Sequence, residues 1–310
     1  MKQQDYIYAS SYIRVLESKM LTTADYDTML RGNYASAVSF LASRKYGEGA
    51  GDIAYNEMEK SLNEALSACP ESVPRGLFLL ENDFHNFKSI LKAMAAGVDY
   101  NLFTLTPSVY DPTALYNAIS AKKFSDLPAE FIPCAEQAIA LFAEGQGQHG
   151  EVIIDRAYFA EIVRIAKGTK NDFVIAWVQL NIDLTNMKTA VRAARRTASA
   201  DEIQNAMISG GNVDVPRLVT AASGDTDKVY TVFNTIGYND ATQAAELDEL
   251  DRWCDTRLLK YLEQVEYSAF GFEVVLAFIT RKRYEVRNVS MILAGLNSGM
   301  DAQAIREKLV

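Results

Sequence analysis

The feature that most constrains the fold of this chain is a short motif that occurs three times. It places an acidic residue three positions before an asparagine, as Asp83/Asn86, Asp183/Asn186 and Glu285/Asn288. The asparagines are separated by 100 and then 102 positions. A repeat with a step of about one hundred residues predicts that one structural unit is used three times.

Apolar residues flank each asparagine at the same four offsets, −9, −2, +1 and +5. Spacings of three and four residues put these side chains on one face of a helix, so each copy should contain one long amphipathic helix. The only break in the stripe is Lys282, six residues before Asn288, where the other copies have Leu80 and Leu180. The alternation of threes and fours favours side-by-side helix packing, as in bundles.

Helix-start signals agree with this interpretation. Asp111 before Pro112 and the Ser199-x-x-Glu202 capping box predict two N-termini. Four further aspartates are expected to open helices. Three of them have tyrosine or cysteine three positions later, as Asp52-x-x-Tyr55, Asp155-x-x-Tyr158 and Asp251-x-x-Cys254, and the fourth is in Asp240-x-x-Gln243. No run of alternating apolar and polar residues predicts a strand, so the fold class is all-α.

The predicted organisation is three similar helical-bundle repeats, residues 1–98, 99–198 and 199–310, in one continuous structural unit. The repeat phase is not aligned with the N-terminus, so the first copy should begin in the middle of a unit.

Composition excludes several classes of function. Lys and Arg number 31 against 40 Asp and Glu, a net charge of −9, which disfavours nucleic acid as a partner. Three scattered cysteines and two histidines give no disulfide framework, zinc site or catalytic triad. We expect no signal peptide and no transmembrane span. The absence of a Walker A motif argues against nucleotide hydrolysis by this chain.

Two motifs could carry chemistry, and each has a simpler interpretation. Gly145-x-Gly147-x-x-Gly150 matches a dinucleotide fingerprint, but a helical segment precedes it, which favours a helix–helix loop. The acidic helix from Asp248 to Asp255 could hold Mg²⁺, as in all-helical isoprenoid synthases. This alternative needs an acidic residue at Thr189, after Asn181 and Thr185, so a solvated acidic face is favoured.

The repeated acid–asparagine pairs are interpreted as structural. A buried carboxylate and amide need hydrogen-bond partners, and three equivalent copies indicate an internal network that fixes helix register. A basic ridge formed by Arg192, Arg195 and Arg196 is either solvated or a docking surface for an acidic partner.

Several segments, in order along the whole chain, resemble one known family. They are Tyr8 to Leu21, Asp155-x-x-Tyr158-Phe159, Asp183-x-x-Asn186 with Lys188 and Arg192, Arg283 to Val289, and Ile305 to Leu309. The chain is similar in these segments to the C subunits of V-type and A-type ATPases, the family that includes the eukaryotic d subunit. It departs from the repeat at Cys254, where the other copies have tyrosine, and it matches least well over residues 99–150.

The resemblance implies a funnel-like array of three repeats with no catalytic activity, cofactor or metal of its own. It implies a peripheral position on the cytoplasmic face of the membrane, between the proteolipid rotor ring and the D and F subunits of the central stalk. A protein in this position would couple ATP turnover to transport of protons or sodium. No ligand residues transfer from the family, so partner contacts are expected at the basic ridge and at the aromatic loop that contains Phe103 and Tyr110.

Overall fold

The computed structural model describes residues 3–241 and 247–310. The regular secondary structure of these residues is helical, with no strand among them, which confirms the predicted all-α class. The fifteen α-helices in this part of the chain are α1 Ile7–Glu17, α2 Thr23–Leu30, α3 Tyr34–Ser43, α4 Ile53–Ser67, α5 Gly76–Ala96, α6 Pro112–Ser120, α7 Ile132–Ala143, α8 Gly147–Thr169, α9 Asp172–Arg195, α10 Ala200–Ala206, α11 Val215–Ala222, α12 Thr226–Asn234, α13 Leu247–Leu262, α14 Phe272–Asn297 and α15 Ala302–Arg306. Short 3-10 helices occur at Gln3–Tyr6, Tyr100–Phe103, Phe124–Asp126 and Glu263–Val265.

Three of the predicted helix starts are confirmed by their capping hydrogen bonds. Asp52 accepts from the backbone amide of Tyr55 at 2.8 Å and caps α4. Asp111 caps α6, with proline at the first helical position. The reciprocal Ser199–Glu202 capping box opens α10. Each cap satisfies backbone amides that have no partner inside the helix.

The prediction that Asp155 and Asp251 open helices is wrong. Asp155 lies in the interior of α8, and Asp251 follows four residues of α13. Both carboxylates face cationic side chains instead, since Lys88 Nζ is 2.7 Å from Asp155 and Arg192 is 2.8 Å from Asp251. The predicted start at Asp240-x-x-Gln243 includes Gln243, which lies outside the described residues.

The glycine-rich segment between α7 and α8 is only partly a loop. Gly145 has a φ of +76°, which turns the chain, but Gly147 already belongs to α8. A Cβ at Gly150 would lie 2.8 Å from the ring of Phe142. The glycine there allows α8 to approach this aromatic ring, so helix packing explains it.

The chain divides into two compact units. One contains the described residues up to Val73 together with Asp255–Val310. In this unit α14 packs against α4, α1, α2, α3 and α15. A buried apolar cluster joins several of these helices, formed by Leu21, Met29, Leu30, Ala37, Leu41, Tyr46, Val289, Ile292 and Ile305.

The other unit lies within Pro74–Cys254. Its longest helices are α5, α8 and α9, and α8 packs on both of the others and on α7. Three phenylalanine rings meet in its core, where Phe131 lies 4.7 Å from Phe84 and 4.9 Å from Phe87 between ring centroids. Such offset aromatic contacts stabilise a helical core beyond the effect of buried area alone.

The three asparagines lie in the long helices α5, α9 and α14, as predicted. Their apolar stripes are mostly buried. No helix in the described ranges is both long enough and apolar enough to pass through a membrane. The three-way division into 1–98, 99–198 and 199–310 stays a prediction.

Candidate functional site

The acid–asparagine pair of α5 holds the segment that follows this helix. Asp83 accepts hydrogen bonds from the backbone amides of Val109 at 3.1 Å and Tyr110 at 2.9 Å. Asn86 pairs with the backbone of Leu105, donating to its carbonyl at 3.0 Å and accepting from its amide at 2.7 Å. One helical turn therefore fixes the backbone of a loop at two points.

The pair of α9 makes the same contacts in the second copy. Asp183 accepts from the amides of Asn212 at 2.8 Å and Val213 at 3.1 Å, and from the Asn212 side chain at 2.9 Å. Asn186 pairs with both backbone groups of Ile208, at 2.8 and 2.9 Å. A side chain at Gly211 would collide with Oδ1 of Asp183, so the close approach of the loop requires glycine there.

In the third copy the asparagine is paired with a segment that follows the helix, whereas the acid is paired with a segment that is distant in sequence. Asn288 donates to the carbonyl of Val310 at 2.7 Å and accepts from its amide at 3.3 Å. Glu285 accepts from the backbone amide of Leu21 at 2.7 Å. The segment that contains Leu21 thus takes the place that the following loop takes in the other copies.

Two features of these contacts recur in all three copies. The residue 13 positions after each asparagine is the N-cap of the next helical turn. These N-caps are Asp99, Ser199 and Asp301. The acid in each copy holds the residue just before the N-cap of α6, α11 or α2. The segment around Leu21, near the N-terminus, completes the contacts of the third copy. This agrees with the prediction that the first copy begins in the middle of a unit.

The third copy also contains a buried cation. Lys282 Nζ lies 2.6 Å from Glu285 and 2.7 Å from Glu57, and its ammonium is 5.1 Å from the centre of the Tyr46 ring. The second oxygen of Glu57 accepts from the amide of Gly47 at 2.9 Å. This cluster ties α14 to α4 and to the turn before α4. Sequence reasoning does not identify it as a group, although the break of the apolar stripe at Lys282 is its signal.

Burial raises the pKa of Asp83 to about 6, although hydrogen bonds from the amides of Tyr110 and Val109 act in the opposite direction. Burial likewise raises the pKa of Asp183, against the hydrogen bonds from Asn212 and Val213. Neither carboxylate has a cation in contact among the described residues. Their fully buried positions and saturated hydrogen bonding fit a structural role, and they leave no side that a substrate could reach.

The basic ridge lies on the surface near the end of α9. Nη2 of Arg192 donates to both carboxylate oxygens of Asp251, at 2.8 and 3.0 Å, and Lys188 lies 3.9 Å from the same carboxylate. Arg195 and Arg196 are also exposed. Arg196 lines a cleft that Arg156 of α8 shares.

The two residues predicted as partner contacts in the aromatic loop, Phe103 and Tyr110, differ in exposure. Phe103 is 49% exposed, next to the 74% exposed Leu102. Tyr110 is half-buried, its hydroxyl donates to Glu130 at 2.9 Å, and its ring lies 5.9 Å from that of Phe131. Phe103 is therefore the more exposed of the two residues at which partner contacts were predicted, and both contacts stay predictions.

The acidic helix of the alternative enzyme interpretation is α13, and its last carboxylate is already in use. Asp255 accepts from the hydroxyl of Tyr284 at 2.9 Å and pairs with Arg287 at 2.7 Å. Asn181 donates to its own helix at the carbonyl of Trp177, and Thr185 donates to the carbonyl of Asn181. Within the described ranges, no group of His, Cys, Asp and Glu could hold a metal ion.

Comparison with known proteins agrees with the resemblance. The family model for the ATP synthase (C/AC39) subunit matches residues 9–308. The C subunit of the Thermus thermophilus V-type ATP synthase is 20% identical, over 99% of this chain and 98% of the relative. The C subunit of the A-type ATP synthase of a Desulfurococcus species is 25% identical, over 99% and 91%. The C subunit of the V-type sodium ATPase of Enterococcus hirae is 21% identical, over 82% and 79%. This chain belongs to the ATP synthase (C/AC39) subunit family.

Proposed function

We propose that this chain is the non-catalytic C subunit of a V-type or A-type rotary ATPase, which couples the D–F central stalk to the membrane proteolipid ring. The observation that carries the proposal is the family match over residues 9–308, nearly the whole chain. The chain would lie peripherally at the cytoplasmic face of the membrane, and the ion moved would be a proton or sodium.

The internal hydrogen bonding supports a mechanical role. A coupling protein transmits torque, so its helices and loops must keep their relative positions under load. In each copy, a buried acid and asparagine of the long helix hold the backbone of other segments at two points. Such fully paired buried networks fix one packing arrangement.

Partner contacts are proposed at Arg192, Arg195, Arg196 and Phe103. All four are exposed, and arginine and aromatic side chains are common at the centres of protein interfaces. Tyr110 is proposed as a fifth contact with less surface available, because its hydroxyl donates to Glu130 and its ring packs on Phe131.

The test is native mass spectrometry of the purified chain with the co-expressed D–F stalk and, separately, with the proteolipid ring in detergent. We expect a one-to-one-to-one complex with D and F, and a complex with the ring. If the intact stalk and the intact ring both fail to bind, the coupling role is wrong. Binding to only one of them would reduce the proposal to an accessory role.

A further inference from the structure

A long groove follows one face of α8. Three adjoining clefts form it, and they share lining residues: Ile153 and Arg156 line the first and second, and Pro133, Ala157 and Ala160 line the first and third. Helix α7 forms one wall, and α10 with the turn after it forms part of the other. The α8 groove lies within one compact unit.

The dimensions and floor of the α8 groove suit a helix. Its lining residues on α8 run from Gln148 to Arg164, which at 1.5 Å per residue is roughly 24 Å. Small side chains in the middle, Ala157 and Ala160, leave room for close approach of a backbone. Leu141 and Ile153 provide half-exposed apolar surface at one end, where the cleft has a volume of about 520 Å³.

The acidic side chains that line the α8 groove already have hydrogen-bond or ion-pair partners within this protein. Glu130 accepts from Tyr110, and Glu161 pairs with Arg164 in a bidentate contact. Glu202 accepts from the backbone amide and hydroxyl of Ser199, and the backbone contact is the main cause of its lowered pKa. Each carboxylate of the groove therefore has an internal partner.

The two arginines at the wide end differ from these acids. Arg156 and Arg196 line the same cleft, and neither guanidinium makes a hydrogen bond or an ion pair within 4.0 Å with residues 3–241 or 247–310. Arg196 acts on Glu202 only as a lesser cause of the lowered pKa of that carboxyl. Both side chains are exposed. In a chain with a net charge of −9, two guanidinium groups beside apolar walls favour an occupant that carries carboxylates.

We propose that the α8 groove binds an acidic amphipathic helix of another subunit of the same complex. The apolar face of that helix would lie over Ala157, Ala160 and Ile153, and its carboxylates would pair with Arg156 and Arg196. Burial of an amphipathic helix in a groove is a common mode of recognition. The inference rests on the proposed function, because it seeks the partner among the subunits of the rotary complex.

The test compares the affinities of three purified chains for the D–F stalk and for the proteolipid ring. The variant Arg156→Glu/Arg196→Glu reverses both groove charges on exposed side chains, and Arg217→Glu is the matched control on exposed surface of α11. We expect the double variant to bind one of the two partners at least about tenfold more weakly than wild type. Arg217→Glu should bind as wild type does, and helical circular dichroism should be equal in all three.

A photo-crosslinker at Ala160 then identifies the occupant by mass spectrometry of the assembled complex. We expect attachment to a helical segment of the affected partner, with carboxylates beside an apolar stripe. Unchanged affinity of the double variant for both partners would overturn the groove inference while leaving the proposed function intact. Failure of the wild-type chain to bind either partner would overturn both. A third outcome also overturns the groove inference. If wild type binds inorganic pyrophosphate and the double variant does not, while the affinities for both partners are unchanged, the two arginines bind a small anion.

Discussion

The acid–asparagine networks of α9 and α14 have the same register but different electrostatics. In α9 the acid is Asp183, which accepts only from amides and a hydroxyl, and the position six before the asparagine is Leu180. In α14 the acid is Glu285, and the equivalent position is Lys282, which is 4% exposed. Both networks hold the backbone of another segment against a long helix. The network of α9 does so without a cation, and the network of α14 includes a buried ion cluster.

The difference follows from how far apart in sequence the contacting segments lie. In α9 the loop that the acid holds follows soon after the helix, so the chain connection itself keeps it near. In α14 the segment held is Leu21, 264 positions away in sequence. Lys282 joins Glu285 to Glu57 of α4, so a buried ion cluster links segments that no short connection holds together. We infer that the cluster helps to fix the register of these segments, because replacing a whole buried ion pair with apolar residues often costs little net stability.

The largest effect is expected from Lys282→Leu, which gives α14 the residue that the other two copies carry. Two buried carboxylates, Glu57 and Glu285, would lose their cation, which costs about 3–5 kcal/mol of unfolding free energy. Urea denaturation followed by circular dichroism measures this loss.

The control for that variant also removes the acids. In Lys282→Leu/Glu57→Gln/Glu285→Gln no uncompensated charge remains, so most of the lost stability should return. A Lys282→Leu protein as stable as wild type would show that the cluster is solvated and that the two networks do not differ in the way described.

A smaller effect distinguishes the asparagines. Asn186→Ala leaves both backbone groups of buried Ile208 unpaired, which should cost about 2–4 kcal/mol. Asn288→Ala leaves the backbone of Val310 without its partner, but Val310 is half-exposed, so water can replace the lost bonds and the cost should be about 1 kcal/mol. Equal losses in the two variants, by the same urea titration, would contradict this ranking. Asn181→Ala on α9 serves as a control, because within residues 3–241 and 247–310 its side chain bonds only to the carbonyl of Trp177 in its own helix.

Much of this architecture is predictable from periodicity. The recurring offsets around Asn86, Asn186 and Asn288 identify three long helices and their buried faces, and capping residues such as Asp111 and Ser199 locate helix starts. These features are local, because each depends on residues within a few helical turns.

The remaining features depend on contacts that are distant in sequence. Nothing near Leu21 indicates that it replaces a loop of the third copy, and nothing near Glu57 indicates that it faces Lys282. The prediction of a helix start at Asp155 is wrong because α8 already begins at Gly147, and the carboxylate faces Lys88 of α5 instead of a backbone amide at a helix start. The α8 groove has the same origin, since α7, α8 and α10 together form its walls.

The last effect concerns the pH dependence of stability in the copies without a cation. Burial raises the pKa of Asp83 to about 6 from 3.8, so the folded state binds this proton more tightly than the unfolded state. Its contribution to stability is therefore greatest at low pH and decreases as the pH rises through the folded pKa. Between about pH 4.5 and 6.5 the loss from this group should be about 2 kcal/mol.

Asp83→Asn isolates that contribution. The amide keeps one acceptor for the backbone of Val109 or Tyr110 but cannot titrate, so the variant loses some stability at every pH. The difference in unfolding free energy, wild type minus variant, should decrease by about 2 kcal/mol across the same pH range. A difference that is constant with pH would mean that Asp83 ionises as an ordinary carboxyl group, and its hydrogen bonds to Val109 and Tyr110 would then balance its burial without a cation. The contrast with the Lys282 cluster would in that case lie in chain connectivity alone.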